Sequence, residues 1–196
     1  MPTNILISPP PYSVEINGKG YLINSDYRVF VHFELLMQDN SVPDDDKLAQ
    51  SLCEFYRGHI PTDIDAAADA MIRFYIRDKE IKPQNEGDAC KHGDKMIYSY
   101  EHDGDAIYAA FRQCYGINLT NAKTLHWWEF KALLENLPPE CEFMRAVSYR
   151  SMKIDGKLPP EEQKRLRKLK EFYALPDNRT TAEKERDFTN DLAAMF

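Results

Sequence analysis

The chain has 196 residues, of which 43% are hydrophobic, 12% aromatic and 29% charged, with a formal net charge of −7. That is enough apolar material for a domain with a true core, and it rules out a disordered composition. A net acidic chain suits phosphate neutralisation poorly, so no nucleic-acid partner is expected.

Residues 1–11 end in Pro9-Pro10-Pro11, an extended lead-in that cannot be helical. Tyr12 to Ile16 alternates apolar and polar residues, Asn17-Gly18-Lys19-Gly20 supplies a turn, and Tyr21-Leu22-Ile23 returns. This predicts an N-terminal β-hairpin, because Asn-Gly readily takes the positive φ of a tight primed turn. Asn24-Ser25-Asp26 offers an N-cap for a helix with Val29, Phe30, Phe33, Leu36 and Met37 inward. Pro43 opens a second helix with Leu48, Leu52, Phe55 and Tyr56 as its apolar face. Thr62 and Asp65 resemble a capping box for a third helix, whose stripe is Ile64, Ala67, Ala68, Met71, Ile72 and Tyr75.

Residues 78–95 lack periodicity and are rich in charge, which predicts an exposed loop. Residues 96–100 read as a short strand and are a candidate partner for the hairpin in a small sheet. Asp103 then starts a helix that Gly116 ends. Leu125 to Leu134 holds both tryptophans and carries two apolar stripes, Leu125-Trp128-Ala132 and Trp127-Phe130-Leu134-Leu137. A helix with one wet face shows one stripe, so this segment is predicted to be the central, covered helix. Pro138-Pro139 breaks the chain before a helix from Cys141 to about Met152, with Phe143, Met144, Val147 and Tyr149 inward. A charged helix follows from Pro159-Pro160 to Leu175, with Leu166, Leu169, Phe172 and Tyr173 as a narrow seam. Thr180 and Glu183 cap a last helix reaching Phe196. The expected fold is therefore mainly α: about seven to eight helices with an N-terminal hairpin. Residues 1–176 form one helical domain in this reading, and 177–196 a C-terminal helical extension.

The chemistry of known catalytic patterns is missing. No GxxxxGK[ST], GxGxxG, HExxH or GxSxG occurs, and no two of His32, His59, His92, His102 and His126 are spaced i, i+4. His126, beside the tryptophans, reads as a core-edge histidine hydrogen-bonded to a neighbour. Cys90 and His92 lack a second pair at ligand spacing, and Asp103 with Asp105 lacks the other positions of a calcium loop. No enzyme activity, cofactor or metal is expected. Cys53, Cys90, Cys114 and Cys141 form no CxxC pair, Ile5-Leu6-Ile7 is too short for a signal-peptide core, and no apolar run approaches a membrane span. The expectation is a cytoplasmic protein with reduced thiols and no membrane partner.

Charge is uneven along the chain. Residues 1–60 hold 4 basic and 8 acidic side chains, whereas 151–175 hold 7 basic and 4 acidic. Such asymmetry suits either a solvated helix face or the steering of a partner or a second copy by complementary fields. The final helix has only a thin stripe, Phe188, Leu192 and Phe196, which suits either loose docking on its own domain or docking on another chain. The candidate partner-binding residues are accordingly Phe188, Leu192 and Phe196 with Lys164, Arg167 and Lys168 of the basic helix.

Several strings then resemble one family. They are Ser13-Val14-Glu15-Ile16-Asn17-Gly18, Ile23 to Arg28, Phe33 to Leu36, Ile97 to Asp103, Ile107 to Phe111, Tyr115 to Leu119, Leu125 to Leu133, Tyr149-Arg150-Ser151 and Lys170 to Pro176. Leu125-His126-Trp127-Trp128 is the most specific. Together, over about residues 8–176, they resemble the bacteriophage gene-product-fifteen family of siphophages and prophages of Gram-positive bacteria. The resemblance implies a gene of the tail module, placed between the major tail protein and the tape measure protein. It implies a tail assembly chaperone-like role in the host cell cytoplasm. The partners so implied are the tape measure protein, the major tail protein and another tail assembly chaperone, with a homo-oligomer also open. The alternative is a minor structural tail protein retained in the virion. The family supplies no catalytic residues to carry over.

Overall fold

A computed structural model describes residues 4–77 and 97–176. Among them the order is β1 (Ser13–Ile16), β2 (Lys19–Leu22), α1 (Tyr27–Gln38), α2 (Asp44–Phe55), α3 (Ile64–Tyr75), α4 (Tyr100–Tyr115), α5 (Trp127–Glu135), α6 (Glu142–Ser151) and α7 (Pro160–Phe172). The fold is mainly α with an N-terminal antiparallel hairpin, as its sequence pattern predicts. The loop read over 78–95 and the extension 177–196 lie outside the described residues. The chain divides into two compact units, Met1–Ile81 with Ile107–Pro138, and Lys82–Ala106 with Pro139–Phe196.

In the first unit the hairpin pairs Ser13 with Leu22 and Ile16 with Lys19. Asn17 and Gly18 take φ of 50° and 75°, the twisted geometry that closes a two-residue hairpin. Residues 97–100 do not add a third strand. Ser99 instead donates its N–H to Asp103 Oδ2 (2.9 Å), and Tyr100 is already helical. A buried carboxylate one turn ahead satisfies the backbone there and takes the place of strand pairing. Asp103 is thus inside the first turn of α4 rather than before it. At α3 the cap is Asp63, whose carboxylate accepts from Ala66 N–H at 3.1 Å, and not Thr62.

Helices α1 and α5 start side by side. An isolated antiparallel bridge joins Asp26 to His126, made by Tyr27 N–H to Leu125 O (2.9 Å) and Trp127 N–H to Ser25 O (2.7 Å). Each bridge residue then caps its own helix, Asp26 by accepting from Arg28 N–H and His126 from Trp128 N–H. Glu129 closes a capping box around His126. Trp127, Trp128, Phe130 and Leu134 of α5 are buried, so the segment is the covered helix its two stripes predict.

Around it lies an aromatic core. Trp127 packs 5.0 Å from Phe30 and stacks 5.5 Å from Tyr75, while Phe130 stacks on Tyr27 and on Phe111. Both indole N–H groups donate to the end of α3, Trp127 to Tyr75 O (2.9 Å) and Trp128 to Phe74 O (2.8 Å). Helix C-termini leave carbonyls without intrahelical partners, and the tryptophan pair satisfies two of them while filling the core. The buried stripe of α3 is Ala67, Ala70, Met71 and Phe74; Ile64 and Ile72 face outward, contrary to the expected stripe. Leu48 and Met37, expected on apolar faces, are likewise exposed, whereas Lys47 is buried with its ammonium reaching Met37 O (3.3 Å).

In the second unit, α6 buries Phe143 and Ala146 beside Cys141, and Tyr98 packs edge-on to Phe143 at 6.0 Å. A bidentate ion pair organises the polar side. Arg150 Nη1 and Nη2 meet Asp103 Oδ2 and Oδ1 at 2.6 and 2.8 Å, both side chains being almost fully buried. The same guanidinium donates to Ile97 O and to Tyr173 O, so one side chain ties three segments of the chain together.

Candidate partner-binding surface

The basic helix α7 is built from a sequence that can fold locally but cannot bury itself. Pro159 and Pro160 preset its first turn, and Glu161 and Glu162 suit the positive end of its dipole. Of its 13 residues none is buried. Leu166 and Leu169 are half-covered, which leaves polar bonds to hold the helix in its unit. Lys170 Nζ donates to Met152 O (2.7 Å), and Gln163 donates to Gly156 O and Leu158 O. Just past the helix, Tyr173 stacks on Tyr149 at 5.3 Å and donates its hydroxyl to Glu142 Oε1 (2.8 Å). That carboxylate, together with the loss of water around the ring, pushes the Tyr173 hydroxyl above its ordinary range.

The outward face is cationic. Lys164, Arg165 and Lys168 are exposed, and among the described residues none of them has an ion-pair or hydrogen-bond partner. They rim an open groove of about 470 Å³ whose remaining lining is Glu161, Leu169 and Tyr149. Of the residues singled out from sequence, Lys164 and Lys168 are therefore brought together one helical turn apart. Arg167 is exposed but lies off the groove, its guanidinium 3.4 Å from Gln163 Oε1. Phe188, Leu192 and Phe196 lie outside the described residues.

Two features of this face escaped the sequence reading. Phe172, part of the expected inner seam, is 78% exposed. Helical spacing places it four residues after Lys168 and seven after Arg165, hence on the cationic side, a signal that was present in the pattern. Tyr149 of α6 joins the groove through its stacking on Tyr173, which only packing reveals. Elsewhere, Leu6, Ile7 and Leu22 are exposed apolar side chains of the first unit, with Leu22 on the solvent face of the hairpin. Among the described residues no helix is long and apolar enough to cross a membrane.

His126 is a buried titratable group at the start of α5. Its Nδ1 accepts from Trp128 N–H at 3.0 Å, which leaves the proton on Nε2 to be donated to Pro11 O at 3.0 Å. Burial pushes its pKa below the ordinary histidine value, opposed by the Pro11 carbonyl and the Glu129 carboxylate. Both nitrogens are committed to backbone, so the ring is a cap and a tether for the lead-in. That arrangement matches the core-edge histidine inferred from its neighbours in sequence.

A family model described as Bacteriophage Gp15 protein matches residues 6–175. No curated protein and no solved structure matches the chain.

Proposed function

The chain belongs to the Bacteriophage Gp15 protein family, and we propose that it is a non-enzymatic binding protein of phage tail morphogenesis. In this reading it acts as a tail assembly chaperone-like protein in the host cell cytoplasm. It holds the tape measure protein, the major tail protein or both until the tube polymerises. The supporting observation is that α7, inside the stretch that matches the family, turns four cations and a phenylalanine to solvent. A helix that contributes nothing buried to its own fold is a contact element available to another chain. The net charge of −7 keeps copies apart from one another and so keeps a bound partner dispersed.

The test is co-expression with the tape measure protein encoded by the same phage. The soluble fraction of that protein rises when this chain is present; equal precipitation with and without it rejects the reading. A second reading is favoured by Leu22, 77% exposed on the edge strand β2, which among the described residues pairs with β1 alone. Such an edge can add a strand from a neighbour, as a minor structural tail protein retained in the virion would use it. Mass spectrometry of purified particles separates the two, the chain being absent from the particle in the first case and stoichiometric in the second.

A further inference from the structure

We infer that the exposed face of α7 is a docking surface for an acidic, amphipathic helical segment of a partner protein, with Phe172 as the apolar anchor. This rests on the binding-protein reading above and specifies the chemistry of the partner. Lys164, Arg165 and Lys168 occupy one turn, have no partner of their own among the described residues, and are tempered in the groove only by Glu161. An occupant that satisfies them carries carboxylates. One turn further on, Phe172 is exposed, while Leu169 and Tyr149 line the groove itself. The same occupant therefore presents apolar side chains alongside its acids.

Shape selects the class of partner. From Lys164 to Phe172 the face runs for roughly 12 Å along α7, about two helical turns. The groove is open along its length rather than deep, unlike the enclosed cavities that hold small molecules. A helix laid along it offers side chains at i, i+3 and i+7, the spacing at which Arg165, Lys168 and Phe172 recur. Duplex nucleic acid and anionic lipid also carry negative charge, but both are dense polyanions facing a chain of net charge −7. Three cations near an anionic bilayer give only weak attachment. A protein segment with a few carboxylates and an apolar face matches both parts of the surface.

Fluorescence anisotropy on the full chain tests this with a labelled synthetic amphipathic helix bearing glutamates beside leucine and phenylalanine. Control probes are its lysine-for-glutamate counterpart, a duplex DNA and phosphatidylglycerol vesicles. The acidic peptide binds, the basic one does not, and raising salt from about 50 to 300 mM weakens binding roughly tenfold. The triple variant K164E/R165E/K168E lowers affinity by at least about tenfold, and F172A lowers it by about fivefold or more while the salt dependence is retained. Since all four side chains are exposed, the variants keep the parent melting curve; should the triple variant fail to fold, K168E alone carries the same comparison. Equal binding of both peptides, undiminished binding by the reversed variant, or tighter binding of DNA or vesicles than of the acidic peptide overturns the assignment. If K164E/R165E/K168E still solubilises the tape measure protein as the parent does, the docking surface is elsewhere, while the binding role itself stands.

Discussion

At the residue scale, the central helix is held by side chains that each serve two ends. Trp128 is buried and its indole N–H closes the carbonyl of Phe74 at the end of α3. Trp128→Ala therefore removes a large buried aromatic and one of the two hydrogen bonds that Phe74 O accepts, the other coming from Arg77 N–H, a loss of about 3–5 kcal/mol in denaturant unfolding. A variant that melted with the parent would show the ring to be exposed. His126 gives a pH signature of definite sign. Its cap requires a neutral ring, since a protonated Nδ1 would face the Trp128 N–H rather than accept from it. Burial holds its folded pKa below the unfolded value of 6.5. The stability it contributes is therefore full above that value and falls away as the pH drops from about 6.5 toward the folded pKa, because the unfolded chain takes up the proton first. The ring is faced by Glu129 from its own helix, by Tyr12 and Pro11 of the lead-in, and by Phe74 of α3. Glu34 runs the other way, its carboxyl raised by burial so that it favours the folded state as pH falls. The comparison of parent with His126→Asn cancels that term. Asparagine caps a helix without titrating, so the melting temperature of the variant declines less between pH 7.5 and 5.5 than that of the parent. Parallel curves would remove His126 from the acid response.

At the element scale, the second unit depends on one ion pair where the first depends on rings. Arg150 binds Asp103 through both nitrogens and also reaches the backbone at Ile97 and Tyr173, beside the end of α7. Taking one partner away leaves a buried carboxylate without compensation. Arg150→Met is expected to cost about 3–5 kcal/mol, and replacing both residues with apolar ones (Asp103→Leu with Arg150→Met) recovers a large part of it. Thermal unfolding of the two variants checks this, and a double variant no better than the single would locate the cost in the lost backbone contacts instead. Arg150→Lys keeps the charge but not the planar fork, so it falls between the two. The pair also explains the missing strand at residues 97–100. Once Asp103 is fixed by Arg150, its carboxylate accepts the Ser99 N–H, and the chain is committed to the first turn of α4.

At the scale of the whole molecule, the parts legible in sequence are those that local chemistry dictates. Asn17-Gly18 predicts the hairpin because few other pairs accept positive φ twice, and proline and glycine mark most helix ends. The doubled stripe of residues 125–137 correctly announces a helix covered on several sides, and the strings that carry the family resemblance lie inside the matched residues 6–175. What periodicity could not resolve was which of two adjacent apolar rows turns inward. In α3 it favoured Ile64 and Ile72 over Phe74, and in α7 it put Phe172 inside. A row is chosen by what packs against it: Phe74 is drawn in by Phe30, Phe55 and Trp128, whereas the narrow flank of α6 covers Leu166 and Leu169 only in part and leaves Phe172 in solvent. The cationic segment of α7 is likewise plain in sequence as charge, but its pairing with an exposed aromatic and with Tyr149 is not. Sequence by itself determined the helical class, the hairpin and the central helix, because spacing and capping act within a few residues. Tertiary structure alone decided the buried Asp103–Arg150 pair, the double cap at Asp26 and His126, and the composition of the α7 face, because each joins residues that meet only when distant segments pack.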